Sequence, residues 1–137
     1  PEVENIRSEM FIKSINAFAF NMVALDTGYN NEQLNLGENS KNSIRKVMAE
    51  GDQILKVLNL PIIQDIESRI KQTLSSSKHT MSMLHDYNNG KKIELPYIWS
   101  GFEEMSKILG IDMDYSKAMY DEVMAKCKSR SHETKIL

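Results

Sequence analysis

The sequence has little from which to build a disulfide, a metal cluster or a phosphate-binding loop. Its single cysteine, Cys127, cannot form an internal disulfide, and this is typical of proteins in a reducing compartment. Its six glycines stand singly, so neither a G-x-G-x-x-G turn nor a Walker loop can be assigned. It contains no Cys-x-x-Cys and no histidine pair at helical ligand spacing. We therefore expect no dinucleotide cradle and no metal site within this sequence.

The sequence also lacks an excess of one charge and a long apolar run. Lys and Arg total 17 against 19 for Asp and Glu, so no basic surplus is available to neutralise nucleic-acid phosphates. No stretch approaches the roughly 20 apolar residues of a membrane span, and we expect no signal peptide. We expect a cytoplasmic protein with neither nucleic-acid nor membrane partners. The start at Pro-Glu-Val resembles that of an excised domain, although processing or tag removal would leave the same start.

Every strong periodicity in the 137 residues is helical, which predicts an all-α, compact bundle of about six helices. The predicted helices cover residues 3–25, 44–58, 62–74, about three turns opening with N-cap candidates at Ser75 to Ser77, 96–109 and a last helix from Asp114. A loop is predicted at 26–38, and the second helix is predicted to keep its charged residues opposite its apolar face. Residues 1–127 would form the helical domain, and residues 128–137 a polar tail that frays.

The predicted helix at 96–109 has clear signals at both ends. Pro96 suits the first helical position, and Gly110 is a typical C-terminal cap. Its periodicity predicts that five apolar side chains are buried: Ile98, Phe102, Met105, Ile108 and Leu109.

The first predicted helix has polar residues within an apolar surface. Lys13, Ala17 and Asn21 share one stripe, and Asn16 lies on the other flank of Lys13. Buried polar groups without partners cost desolvation free energy, so these positions suggest a binding site. The alternative is that Lys13 extends its amine to solvent while the asparagines hydrogen-bond to neighbouring loops.

A second polar segment lies at residues 82–94. Ser82 and Asp86 are one helical turn apart, and Glu94 directly precedes an apolar helix. The structural alternative for Ser82 and Glu94 is helix capping. The neighbouring His85-Asp86 pair is of the kind with which helical phosphohydrolases hold metals, but the distant His and Asp that those enzymes also need are missing, so we favour a solvated histidine.

Together the two segments resemble the C-terminal domain of the ketopantoate reductase (2-dehydropantoate 2-reductase) family, which has a 6-phosphogluconate dehydrogenase C-terminal-like fold. "IRSEMFIK" matches the start of that domain, with Phe11 in place of the usual Trp and Lys13 at the catalytic lysine. The family has asparagines four and eight residues later. Asn21 matches the second, whereas Ala17 occupies the first and Asn16 is a candidate substitute.

The resemblance is tighter in the second segment. Seven residues lie at the family's offsets: Ser82, Met83, Leu84, Asp86, Gly90, Lys91 and Glu94. Gly101 lies one residue later than the family's glycine, and the asparagine usual there is missing.

The resemblance implies NADP-dependent reduction of a 2-keto acid, with ketopantoate converted to pantoate. It makes Lys13 and Glu94 catalytic and assigns substrate binding to Asn21 and Ser82, with Asn16 as a candidate. NADP would be bound mainly by an N-terminal Rossmann domain that is absent from this sequence, so the chain alone is expected to be inactive. That domain, the substrate and a second copy in a homodimer are the expected partners.

Two other interpretations remain open. One is a related 2-hydroxy acid dehydrogenase for branched or aromatic 2-keto acids, which Ala17 and Phe20 near Lys13 would allow. The other is a non-catalytic helical dimerisation module, since nine methionines suit adaptable interfaces. The module becomes the better interpretation if Lys13, Asn21, Ser82 and Glu94 do not converge on one cleft.

Overall fold

The computed structural model describes residues 2–75 and 78–136, and within these ranges the chain is helical and contains no strand. This confirms the all-α prediction. There are seven helices in the described ranges rather than about six: α1 Glu2–Thr27, α2 Asn31–Leu36, α3 Glu38–Val57, α4 Ile66–Leu74, α5 Ser82–Asn88, α6 Leu95–Leu109 and α7 Asp114–Ile136. None of these helices is both long and apolar enough to cross a membrane.

α1 is the central helix of the bundle. It contacts α3, α5, α6 and α7, and no Pro or Gly interrupts it. Its second half is apolar on most sides and almost fully buried, including Ile15, Phe18, Met22 and Leu25. A helix that is hydrophobic nearly all round is stable in water only when other helices surround it.

α3 crosses α1 at a glycine. A Cβ atom on Gly51 would lie 2.8 Å from Cγ2 of Ile15, so the absence of a side chain allows this close approach. The predicted apolar face of α3 is buried from Ile44 to Leu55, whereas Leu58, predicted to belong to it, lies at the C-cap and is 41% exposed. The expectation that its charged residues all lie opposite that face is wrong, because Asp52 is only 4% exposed. Its carboxylate pairs with Arg69 of α4, which removes the cost of burying it alone.

The first difference in helix boundaries is α2, which lies inside the predicted loop. The Asn30 side chain accepts from the Gln33 N–H, and the Gln33 side chain accepts from the Asn30 N–H, which forms a complete capping box. The second difference is at Ser75, which follows the last residue of α4 instead of starting a helix; Ser76 and Ser77 lie outside the described residues. Two predicted starts are wrong as well, because α3 begins at Glu38 rather than at residue 44 and α4 begins at Ile66 rather than at residue 62.

α6 begins and ends close to the predicted places, and α7 begins at Asp114 as predicted. α6 begins at Leu95, one residue before Pro96, and Gly110 ends it with a φ of 68°, the left-handed conformation that favours glycine. Ile108 is 75% exposed, so its predicted burial is wrong. α7 continues past Lys128 to Ile136, and the fraying of residues 128–137 stays a prediction.

Other helices supply the contacts that hold α7 in place. The Glu50 carboxylate of α3 accepts from the backbone N–H groups of Tyr115 and Ser116, at 3.0 and 2.6 Å. It thereby caps the N-terminus of α7, where negative charge is stabilising. In the middle of α7, Lys126 pairs with Asp26 of α1 at 2.6 Å. These contacts fix α7 against α3 and against the C-terminal end of α1.

Candidate functional site

Lys13 lies on the exposed side of α1 at the edge of a polar pocket of about 480 Å³. Helices α1 and α4 and the segment that precedes α4 form this pocket. Its lining consists of Glu9, Ile12, Lys13, Asn16, Ile63, Gln64, Arg69, Gln72 and Thr73. An exposed ammonium group beside amide and hydroxyl groups is suited to binding a small anion, although Glu9 contributes opposite charge at the same pocket.

The wall of this pocket contains a buried ion pair. Two nitrogens of Arg69, Nη1 and Nη2, donate to Asp52 at 2.9 Å each, and the Arg69 side chain has no exposed surface. Nε donates to Oδ1 of Asn16 at 3.0 Å, and Nη1 also donates to the Gln64 carbonyl at 3.3 Å. The network joins α1, α3 and α4 at the wall of the pocket that Lys13 also lines.

Sequence reasoning missed Arg69 and Asp52. The available signal was their position: Asp52 follows Gly51 on the face that carries Met48 and Leu55, and Arg69 directly precedes the core residue Ile70. A charge on a buried face needs a partner of opposite charge, but the sequence alone does not say which residue supplies it.

Asn21 connects α1 to α5. Its Oδ1 accepts from the Met83 N–H at 3.2 Å, and its Nδ2 donates to the Ala17 carbonyl at 2.8 Å. The residue at the N-cap of α5 is Met81, which has no side-chain oxygen, so Asn21 satisfies an N–H group that this cap cannot. The structure therefore brings Asn21 to the helix that begins with Ser82, whose own side chain is exposed.

Glu94 is exposed at the N-cap position of α6 and makes no capping hydrogen bond with its side chain. Within the described ranges, no ion pair joins it to Lys13, which is exposed as well. The helices that follow Ser82 and Glu94 both pack against α1. The convergence of Lys13, Asn21, Ser82 and Glu94 on a single cleft stays a prediction.

An apolar groove of about 380 Å³ lies on the other side of Lys13, between α1 and α6. Ala17 is at its floor, at the position where the sequence comparison expected asparagine. The other lining residues are Phe11, Ser14, Tyr97, Ile98, Gly101, Phe102 and Met105. Beneath the groove, the Phe18 and Phe102 rings stack with centroids 4.8 Å apart. The groove is thus lined mainly by apolar side chains, with hydroxyl groups at Ser14 and Tyr97.

Three further side chains of chemically reactive types lie outside the two pockets: His85, Asp86 and Cys127. His85 lies 3.2 Å from the side-chain amide of Asn89, and the Asp86 carbonyl accepts from the Lys91 N–H at 2.9 Å, which orders the turn after α5. In the described part of the chain, no three His, Cys, Asp or Glu side chains form a metal-binding group. Burial raises the pKa of the Cys127 thiol, which disfavours the thiolate needed of a nucleophile.

The comparison with protein families finds a match over almost the whole chain. The profile of the C-terminal domain of the PanE/ApbA ketopantoate reductases matches residues 5–127. A 2-dehydropantoate 2-reductase from Mesorhizobium japonicum is 26% identical over 109 residues, which are 80% of this chain and 33% of that protein. The chain therefore spans about a third of the length of this curated relative.

Two solved structures share the fold. A PanE/ApbA family ketopantoate reductase from Ralstonia eutropha superposes with a TM-score of 0.77 at 20% identity, over 93% of this chain and 43% of that one. D-mandelate dehydrogenase, solved with NADH and anilino(oxo)acetate, also gives 0.77 at 20% identity, over 91% and 53%. At this identity the superpositions establish the architecture.

Proposed function

The chain belongs to the ketopantoate reductase C-terminal domain family, and from that premise we propose that it is the substrate-binding and proton-donating domain of an NADP-dependent 2-keto acid reductase. The proposed reaction converts ketopantoate to pantoate, as a step in making pantothenate in the cytoplasm. The observation that carries the proposal is the position of Lys13: it matches the family's catalytic lysine and presents its amine at a polar pocket.

In this proposal Lys13 supplies both charge and a proton. Reduction adds a hydride to C2 of the substrate and a proton to its keto oxygen, which yields a 2-hydroxy acid. An ammonium group directed at the developing oxyanion stabilises it, and the stabilisation grows when the closed cleft excludes water. Because Lys13 is exposed in this chain, it can regain its proton from solvent after each turnover.

The other predicted site residues hold the substrate in place. Glu94 contacts the reacting oxygen and balances the charge of Lys13. Ser82 and Asn21 hydrogen-bond to the substrate. In support of this, the 3.2 Å hydrogen bond from the Met83 N–H to the Asn21 side chain holds Asn21 beside the start of the helix that carries Ser82. Asn16 is a further donor, on the α4 side of Lys13. Fixing the substrate in this way lowers the entropic part of the barrier.

The nicotinamide group would be bound elsewhere. The six glycines of this chain stand singly, so its residues do not fit a dinucleotide phosphate cradle. When bound, the nicotinamide supplies the hydride. We propose that a Rossmann domain in the complete protein holds it, and this agrees with the chain's spanning only part of its relatives. A homodimer is a further proposal.

The groove at Ala17 favours a second candidate substrate class. Replacing asparagine by alanine removes a polar group, and the neighbouring walls formed by Ile98, Phe102 and Met105 are apolar. A 2-keto acid with a branched or aromatic side chain would bury that side chain there, with its keto oxygen at Lys13. Ketopantoate carries a hydroxyl group, for which only Ser14 and Tyr97 among the lining residues offer a polar side chain as partner.

The test is Lys13→Met in the complete protein that contains this chain, with Lys56→Met as a matched exposed-lysine control on α3. We expect Lys13→Met to lower kcat by at least a factor of 100 while its thermal unfolding stays unchanged, and the control to keep wild-type kinetics. A near wild-type rate for Lys13→Met would remove this residue from the proton-donor role.

Substrate choice is decided by measuring kcat/KM for ketopantoate, 2-oxoisovalerate and benzoylformate. A preference for ketopantoate supports the first candidate, and a preference for 2-oxoisovalerate or benzoylformate supports the second. The 137-residue chain by itself should reduce none of them, and measurable turnover by it would contradict the division of labour between two domains.

A further inference from the structure

Asn16 has its two polar ends in different environments. Its Oδ1 accepts the Nε–H of Arg69 at 3.0 Å, so the carbonyl end of the amide points to the buried network. The amide nitrogen, Nδ2, has no protein acceptor among the described residues, although the side chain lines the pocket that Lys13 also lines. An amide held by its oxygen in this way can offer the pocket only N–H donors.

Arg69 is itself held firmly in place. Its guanidinium group has no exposed surface and forms two parallel bonds to Asp52, and a third bond goes to the Gln64 carbonyl. Asp52 neutralises the charge of Arg69, so the arginine adds little net charge to the pocket. A planar guanidinium donates in fixed directions, which sets the orientation of any acceptor bonded to it. The rotation of the Asn16 amide is therefore determined by α3 and α4.

Lys13 and Asn16 are three residues apart on α1, so their side chains emerge from neighbouring positions on the helix surface. Together they present an ammonium group and an amide donor at one pocket, and Thr73 adds a hydroxyl group. Gln64 and Gln72 are bonded to each other at 2.7 Å. In a 2-keto acid the carboxylate is attached to the carbon that bears the keto oxygen. When the keto oxygen lies at Lys13, we therefore expect the carboxylate to lie near Asn16.

We propose that Arg69 is a positioning residue that holds Asn16 as a hydrogen-bond donor to the carboxylate of the 2-keto acid. The inference rests on the proposed function and adds to it the residues that recognise the carboxylate of the substrate. Without Arg69, the Asn16 amide is free to rotate and to turn its oxygen towards the anion, which repels it.

The test is the ratio of kcat/KM for 2-oxoisovalerate to kcat/KM for its methyl ester, measured in the complete protein. The methyl ester lacks the negative charge of the carboxylate and carries one additional methyl group. We use Arg69→Met combined with Asp52→Leu, because an apolar pair of similar size often replaces a buried ion pair without loss of stability. We expect the ratio to fall at least tenfold, since the acid loses more than the ester.

A second variant protects the test from misfolding. Asn16→Asp keeps an acceptor for Arg69 but replaces the donor group by a negative charge, and it should lower the same ratio by at least tenfold. Arg45→Met is the matched control, because Arg45 forms an exposed ion pair with Glu67 of α4, away from the pocket. An unchanged ratio in either the double variant or Asn16→Asp, including one that results from equal losses for acid and ester, would overturn the proposal.

Failure of the proposed function would be recognised separately. If the wild-type complete protein reduces no 2-keto acid, the positioning role is read from the 137-residue chain by NMR. The Asn16 side-chain amide signals should shift on titration with oxamate, and the double variant should abolish the shift. No shift in the wild-type chain would overturn the inference.

Discussion

The two halves of α1 contain similar apolar residues that differ in their exposure to solvent. In the second half, Phe18 and Met22 are no more than 1% exposed because four other helices surround them. In the first half, Val3, Ile6 and Met10 are 65%, 56% and 65% exposed. Lys13 lies at the boundary between the two halves. The comparison shows that one end of the helix holds the bundle together while the other leaves an apolar surface and an amine available.

Substitutions at Phe18 and Met10 test that contrast most directly. We expect Phe18→Ala to lower the free energy of unfolding by about 3–5 kcal/mol, because it leaves a cavity in place of the ring that stacks on Trp99 and Phe102. Met10→Ala should change it by no more than about 0.5 kcal/mol, since its side chain lies in solvent. Chemical denaturation of the 137-residue chain measures both. Equal effects would contradict the division of α1 into a buried and an exposed half.

The middle of α1 is tested at its crossing with α3. Gly51→Ala brings a Cβ within 2.8 Å of Ile15, a stiff β-branched residue, so we expect a loss of about 1–3 kcal/mol. Gly101→Ala is the control, because nothing lies within 4 Å of its Cβ position in α6. There alanine should stabilise the helix by up to about 1 kcal/mol. Thermal unfolding midpoints that move in the same direction would argue against close packing at Gly51.

The smallest expected effect is at Asn21. Asn21→Ala removes the acceptor for the Met83 N–H, and loss of such a cap costs about 1 kcal/mol. Hydrogen exchange at the Met83 amide should become faster. Asn21→Asp retains an acceptor oxygen and should preserve most of the protection. Unchanged exchange in Asn21→Ala would mean that α5 does not depend on this bond.

The sequence was sufficient to predict a helix where the apolar pattern was long, and to predict a helix end where a glycine marked it. The uninterrupted apolar pattern of α1 predicted a buried central helix, and Gly110 marked the end of α6. Short signals were less reliable. The run Ser75 to Ser77 has the composition of an N-cap, yet Ser75 follows the last residue of α4, and α5 starts at Ser82. A serine suits either end of a helix when no neighbouring element is considered.

The candidate site also has one part that the sequence predicted and another that it did not. The order and spacing of residues identified Lys13, Asn21, Ser82 and Glu94 as a family pattern, and no spatial information was needed for that. Tertiary structure alone decided that Asn16 bonds to Arg69, that Arg69 pairs with Asp52 and that Asn21 caps α5. The physical reason is range: helix periodicity arises between residues three or four apart, whereas a buried polar group is satisfied by whichever residue the packing brings beside it, here 17 to 62 positions away.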